Sequence, residues 1–139
     1  MMEAAQSYRR FLETLSPASL QRLPEFVHHD VHFRDPFNDV RGADAMAQVF
    51  RHMFDNVPGV AFSVQHLAVD ANVCLMSWRF TGTLFGQPWA FDGTSVVLFD
   101  DDGHVTSHTD YWDAARTFYE RLPVIGWLLA AIRRRIAVR

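Results

Sequence analysis

The sequence is poor in the features that tie a chain to membranes, nucleic acid or an oxidising compartment. One cysteine, Cys74, occurs in 139 residues. It allows no internal disulfide and fits a reducing compartment. No apolar run reaches the roughly 18 residues that a membrane span needs. The opening residues Met1-Met2-Glu3-Ala4-Ala5-Gln6 show no basic stretch followed by an apolar one. No secretion signal is therefore expected, and the expected location is cytoplasmic. Basic charge is in deficit, with 13 Lys+Arg against 16 Asp+Glu, a formal net charge of -3 and a pI near 6.1. That balance speaks against a nucleic-acid partner. There is no internal repeat and no low-complexity segment. His28, His29 and His32 cluster locally, but no spacing matches a zinc site and bound metal needs ligands converging on one point. Neither a metal nor a cofactor is expected.

What the chain has in quantity is aromatic residues, twelve Phe and four Trp among them, in a composition that is 49% hydrophobic. The length suits one domain with one core. So many rings suit an enclosed apolar cavity, and a dense core would read the same way.

Helical spacing comes first. Tyr8, Phe11, Leu12 and Leu15 form one stripe of a helix over 2–15, stopped by Ser16-Pro17. A short helix is expected over 19–27, with Ser19 as its N-cap and Pro24 disturbing it. A third follows over 43–55, with Met46, Val49, Phe50 and Met53 on one face. After the loop Asn56-Val57-Pro58-Gly59 the period becomes two, and strands are expected over 60–70, 73–85, 89–100 and 104–112. Links this short argue an antiparallel meander. Helices first and a sheet second make the fold α+β.

Between helices two and three lies Val31-His32-Phe33-Arg34-Asp35-Pro36-Phe37-Asn38, ending in a turn through Asp39 and Gly42. Alternation puts Val31, Phe33 and Asp35 on one side of a strand. A carboxylate then points at the same interior as two apolar side chains. Such a group is either strongly hydrogen-bonded or has a raised pKa suited to base chemistry. Asp-Pro-Phe-Asn is also good turn chemistry, and Asp35 could simply cap it. Parity groups Cys74, Met76, Trp78 and Phe80 on one face of the long strand, and Phe91, Gly93, Ser95, Val97 and Phe99 on one face of the next. In the last strand His108, Asp110 and Trp112 go together, whereas Asp92 falls on the outer face. Asp110 could be functional or could merely pair with His108 or a helix arginine. His108 could orient or protonate, or be a satisfied core residue.

These residues resemble the nuclear-transport-factor-2-like superfamily, in its ketosteroid isomerase-like and SnoaL-like branch. Asp35-Pro36-Phe37, then Gly42 and a helix, resembles the segment carrying the isomerase's general base. Gly86-Gln87-Pro88, Phe99-Asp100, Gly103 and Tyr111-Trp112 follow its last strands, so the likeness covers nearly the whole chain. The resemblance implies a cone: a strongly curved, mostly antiparallel sheet wrapped around N-terminal helices, with a pocket inside. It also implies a homodimer through the sheet's outer face. Asp35 matches the proton-shuttling aspartate, while the two oxyanion donors fall at Phe11 and Ser95; Tyr8, one turn earlier, could supply a hydroxyl instead. Asp110, seven residues after Gly103, is similar to the catalytic aspartate of SnoaL-like polyketide cyclases and limonene-epoxide hydrolase. The latter also uses an arginine and an aspartate on the long strand, where parity turns Arg79 outward and Thr81 stands in the second place.

The expected function is a cofactor-independent acid–base enzyme, isomerase or cyclase in type, acting on a small apolar carbonyl compound. Its catalytic candidates are Asp35, Asp110, His108 and Tyr8. The expected pocket wall is Phe11, Phe33, Phe50, Met76, Trp78, Phe80, Phe91, Ser95, Val97 and Trp112. A non-catalytic binding or assembly member is the alternative, and an epoxide hydrolase-like activity the third. The domain is expected to span 1–122. Residues 123–139 then form an amphipathic helix, with Ile125, Leu128, Leu129, Ile132 and Ile136 on its stripe and Arg133, Arg134, Arg135 and Arg139 at its end. Packing on the domain or a partner is expected of it ahead of contact with a membrane surface.

Overall fold

The two periodicities become two layers in the computed structural model, which describes residues 1–138. Arg139 lies outside the described residues. The helical layer comprises α1 (Met2–Glu13), a 3-10 turn (Ser19–Glu25) and α2 (Ala43–Asn56). The expected cap at Ser19 is not formed: Ser19 is the first residue of the turn, and Ala18 stands at its N-cap with no side-chain cap. Ser16 and Ser19 each accept the other's backbone N–H, at 3.1 and 2.8 Å. Pro24 sits inside the resulting turn, which is 3-10 and not α-helical, and its missing N–H leaves the turn one backbone donor short.

The sheet has six strands: β1 (Val27–Arg34), β2 (Asp39–Arg41), β3 (Ala61–Asp70), β4 (Val73–Leu84), β5 (Gln87–Phe99) and β6 (Val105–Tyr111). Their order is β2-β1-β6-β5-β4-β3. Strands β3 to β6 form the expected antiparallel meander. Two features depart from expectation. The turn after Asn38 contains a short strand, β2, paired with β1. And β1 joins the meander by pairing in parallel with β6, Phe33 opposite His108. Register shifts in β3/β4, β5/β6 and β1/β6 bend the sheet. The β4–β5 hairpin turns on Phe85 and Gly86, both at positive φ (51° and 75°), as a two-residue hairpin loop demands.

The concave face holds the core. Val31, Phe33, Cys74, Met76, Trp78, Phe80, Phe91, Ser95, Val97, Phe99 and His108 are buried there against Tyr8 and Phe11 of α1 and Met46 and Phe50 of α2. Beyond β6 come α3 (Ala114–Thr117), a 3-10 turn (Tyr119–Arg121) and α4 (Ile125–Ile136). No described helix is long and apolar enough to cross a membrane. Helix α4 packs on the short elements just before it, α3 and the 3-10 turn, and does so by an unexpected face. Its buried residue is Gly126, pressed against the turn at Glu120, while Ile125, Leu128, Ile132 and Ile136 of the stripe are exposed.

Candidate active site

The site is built from hydrogen bonds that run in one direction. Tyr8, from the buried stripe of α1, sets its hydroxyl 2.7 Å from Nδ1 of His108. Two residues along the same face of β6, Asp110 places Oδ1 2.7 Å from His108 Nε2. Across the sheet Ser95 pairs in register with Asp110 and donates to the same Oδ1 at 2.5 Å. The Trp78 indole N–H in turn donates to Ser95 Oγ at 2.8 Å. A carboxylate only accepts, so His108 must donate from Nε2 and accept at Nδ1 from the Tyr8 hydroxyl. Neutral imidazole is the state that satisfies every buried group. An imidazolium would leave the Tyr8 proton without a partner. Burial first, and then the Asp110 charge, hold the Tyr8 phenol well above its usual pKa of 10.0, so it stays a donor.

Gly93 makes the last link geometrically feasible. It stands opposite Trp78, whose ring lies across it; a Cβ there would come within 2.4 Å of the indole. The absent side chain lets the indole lie on β5 and reach Ser95.

Asp110 stands at the end of this relay and at the wall of a cavity of about 500 Å³. Two hydrogen bonds fall on Oδ1; among the described residues none falls on Oδ2. Asp35 lines the same cavity. Its Oδ1 accepts from the backbone N–H of Phe37 (2.8 Å) and Asn38 (2.7 Å) and from the Asn38 amide. The turn cap and the inward carboxylate, posed as alternatives by the sequence, are both present. Burial raises the Asp35 pKa above its ordinary 3.8, opposed by those hydrogen bonds and assisted by the charge on Asp110. A second, open groove runs along Arg34, Pro36, Thr109 and Tyr111 and is also bordered by residues Asp35 and Asp110.

The cavity wall is aromatic. Phe80 and Phe91, opposite each other on β4 and β5, stack at 4.7 Å, and Phe91 stacks on Trp112 at 4.3 Å. Of the residues expected there, Phe33, Phe50, Trp78, Phe80, Phe91 and Trp112 line it. Met76 and Ser95 lie deeper, on a recess of about 20 Å³ that also touches His108 and Asp110. Phe11 and Val97 line neither. Phe11 stacks on Phe26 at 4.3 Å and Val97 is wholly buried, so both are core. Tyr8 is behind the site and touches it only through His108. Parity did not reach Phe37, Asn38, His52, Asn56, Phe62, Trp89 and Phe118, which also line it, together with Val49, Met53, Val57, Leu84 and Phe85. Most of these sit on helix, turn or neighbouring strand, where only tertiary placement reveals the shared space.

Neither expected oxyanion position offers a donor to the cavity, since Phe11 is core and Ser95 spends its proton on Asp110. Arg79 pairs with Asp92 at 3.2 Å on the exposed face, as parity predicts. The His28 and His29 rings lie tilted against each other, 4.2 Å apart, and His32 pairs with Asp39. Those three do not converge on a common point. A separate group, Asp100, Asp102 and His104, lies at the β5–β6 turn. There Asp100 is occupied by the backbone N–H groups of Asp102 and His104.

A SnoaL-like domain family matches residues 8–108. Comparison with curated proteins gives no sequence match. Among solved structures, an LEH-like epoxide hydrolase from M. tuberculosis superposes with a TM-score of 0.72 at 20% identity, over 99% of this chain and 96% of that one. A candidate SnoaL-like polyketide cyclase from Jannaschia sp. CCS1 gives 0.71 at 14%, over 99% and 94%. A protein of ketosteroid isomerase-like fold from Catenulispora acidiphila, solved with trimethylamine, gives 0.70 at 13%, over 83% and 88%. At such identities the likeness establishes the cone fold and nothing finer.

Proposed function

This chain belongs to the SnoaL-like domain family, and we propose that it is a cofactor-independent acid–base enzyme acting on a small, mostly apolar carbonyl compound held in the aromatic cavity. The observation that carries this reading is the relay Tyr8–His108–Asp110 opening beside a second carboxyl, Asp35, on one apolar cavity. Burying two acids in such a wall is costly unless they serve a purpose. Their surroundings differ, and two carboxyls in different surroundings can divide acid and base roles. Asp110 keeps one oxygen free and has its other oxygen fixed by two donors. We assign it the removal of a proton from the carbon beside the carbonyl. Asp35, whose pKa burial raises, is assigned to face the developing enolate oxygen and to lend it a proton. Returning the proton on Asp110 to a different carbon, while the enol oxygen gives its own proton back to Asp35, completes an isomerisation; in a ring closure the enol carbon instead attacks a second carbonyl of the substrate, whose C=O π bond breaks, and the proton on Asp110 goes to the new alkoxide. This exchanges the roles that the resemblance implies for Asp35, because its Oδ1 is occupied by the Phe37 and Asn38 donors.

The test is hydrogen exchange at carbon. A panel of small cyclic enones and aryl ketones in D2O is followed by proton NMR with the wild type, Asp110→Asn and Asp35→Asn. Loss of a positioned base is worth about 10²–10⁴ in rate. Asp110→Asn should therefore remove exchange almost entirely, and Asp35→Asn should slow it. Undiminished exchange in Asp110→Asn would sink the assignment.

One observation favours the alternative of a binding member without catalysis: no oxyanion donor reaches the cavity from position 11 or 95. Ligands of the same class would then bind with no exchange in the wild type. An epoxide hydrolase-like reaction would lack Arg79, which is paired on the other face.

A further inference from the structure

We propose that α4 is a docking element for the surface of an anionic lipid membrane. Its contact with the rest of the chain fixes its roll. At Gly126 an added Cβ would come within 2.3 Å of the Glu120 backbone oxygen, and Arg133 Nε pairs with the Glu120 carboxylate at 2.9 Å. With that side turned inward, Ile125, Leu128, Ile132 and Ile136 fall within an arc of about 80° on a helical projection that faces solvent. Their exposures run from 48% at Ile132 to 80% at Ile136. Trp127, about 100° round the helix from the nearer edge of the stripe, is 71% exposed.

Charge selects the occupant. Residues 123–139 hold four of the chain's 13 basic residues and none of its 16 acidic ones. Arg134 and Arg135 stand in the last turn of α4 with no carboxylate partner among the described residues. Two copies of α4 laid stripe to stripe would join their apolar faces but add arginine to arginine, with no acid on either helix. An anionic bilayer answers both features. Acyl chains take the isoleucine and leucine side chains, and headgroup phosphates and carboxylates take the arginines. Twelve residues span only about 18 Å, so the helix lies in the interface and does not cross it.

The experiment is co-sedimentation of the intact chain with phosphatidylcholine vesicles, with and without phosphatidylserine, at low and raised salt. The expected result is binding to the phosphatidylserine vesicles at least about tenfold tighter than to phosphatidylcholine alone, and weakening with salt. The stripe variant L128E/I132E changes only exposed positions, and circular dichroism checks its fold. It should leave the chain in the supernatant. The charge variant R134E/R135E should weaken binding at least about tenfold. The proposal is overturned if the wild type ignores both vesicles, or if L128E/I132E sediments as the wild type does. It is equally overturned if the wild type stays off vesicles but forms a dimer that L128E/I132E splits, for then the stripe belongs to a second copy.

Discussion

Ser95 does two tasks with one hydroxyl, fixing Asp110 and receiving the Trp78 indole. Replacing it by alanine leaves a buried indole N–H unpaired and one donor fewer on the carboxylate. Ser95→Ala should cost about 1–3 kcal/mol, read as a lower urea midpoint at unchanged slope. Tyr8→Phe should cost a similar amount, because it strips the buried Nδ1 of its donor. At Asp35 the sign is opposite. A carboxyl whose pKa is raised on folding stabilises the protein below its ordinary value of 3.8, and that stability is lost as pH rises through the raised value. Asp35→Asn keeps an oxygen for the turn N–H groups and sheds the charge. Its melting temperature should therefore gain on the wild type between acid and neutral pH; a constant difference across that range would refute the sign. Much of this was legible in advance. Alternation alone put Asp35 with Val31 and Phe33, and His108 with Asp110. The sharing of one oxygen by His108 and Ser95 was not, because it depends on cross-strand register that single-strand parity does not contain.

At the scale of the element, the contrast lies between local and distant pairing. The meander was readable because each strand turns directly into its neighbour through signals such as Ala71-Asn72 and Gly86. Strand β2, three residues long, leaves no periodic trace within a turn. The parallel seam of β1 and β6 unites segments about 75 residues apart (Arg34 with Thr109), and no local signal announces such a partner. The Trp78–Gly93 crossing is a further cross-strand fact. Gly93→Ala should push the indole off Ser95 and cost about 1–3 kcal/mol by overpacking. In a Trp78→Ala background the same change should cost far less, and the double-mutant cycle measures the difference. Equal costs in both backgrounds would show that the glycine serves the backbone and not the ring.

For the whole molecule, the cavity matters more than any one wall residue. A space of about 500 Å³ faced by stacked rings should be filled by an apolar ketone of matching size. Saturation at 100 times Kd should raise stability by about 2.7 kcal/mol, visible as a melting shift that a charged analogue of the same size does not give.

The seam of β1 and β6 also bears on when the site comes into being. Asp35 follows one of these strands and Asp110 belongs to the other, so the two acids meet only when the longest loop in the sheet closes. Hairpins within the meander form at small entropic cost, whereas this closure must wait for the intervening strands and α2. Pulse-labelled amides at Phe33 and Thr109 should accordingly gain protection after those of β4 and β5. A chain arrested before that step would have its aromatic sheet in place and its two acids still apart, so nascent or partly folded copies lack the paired carboxyls of the cavity.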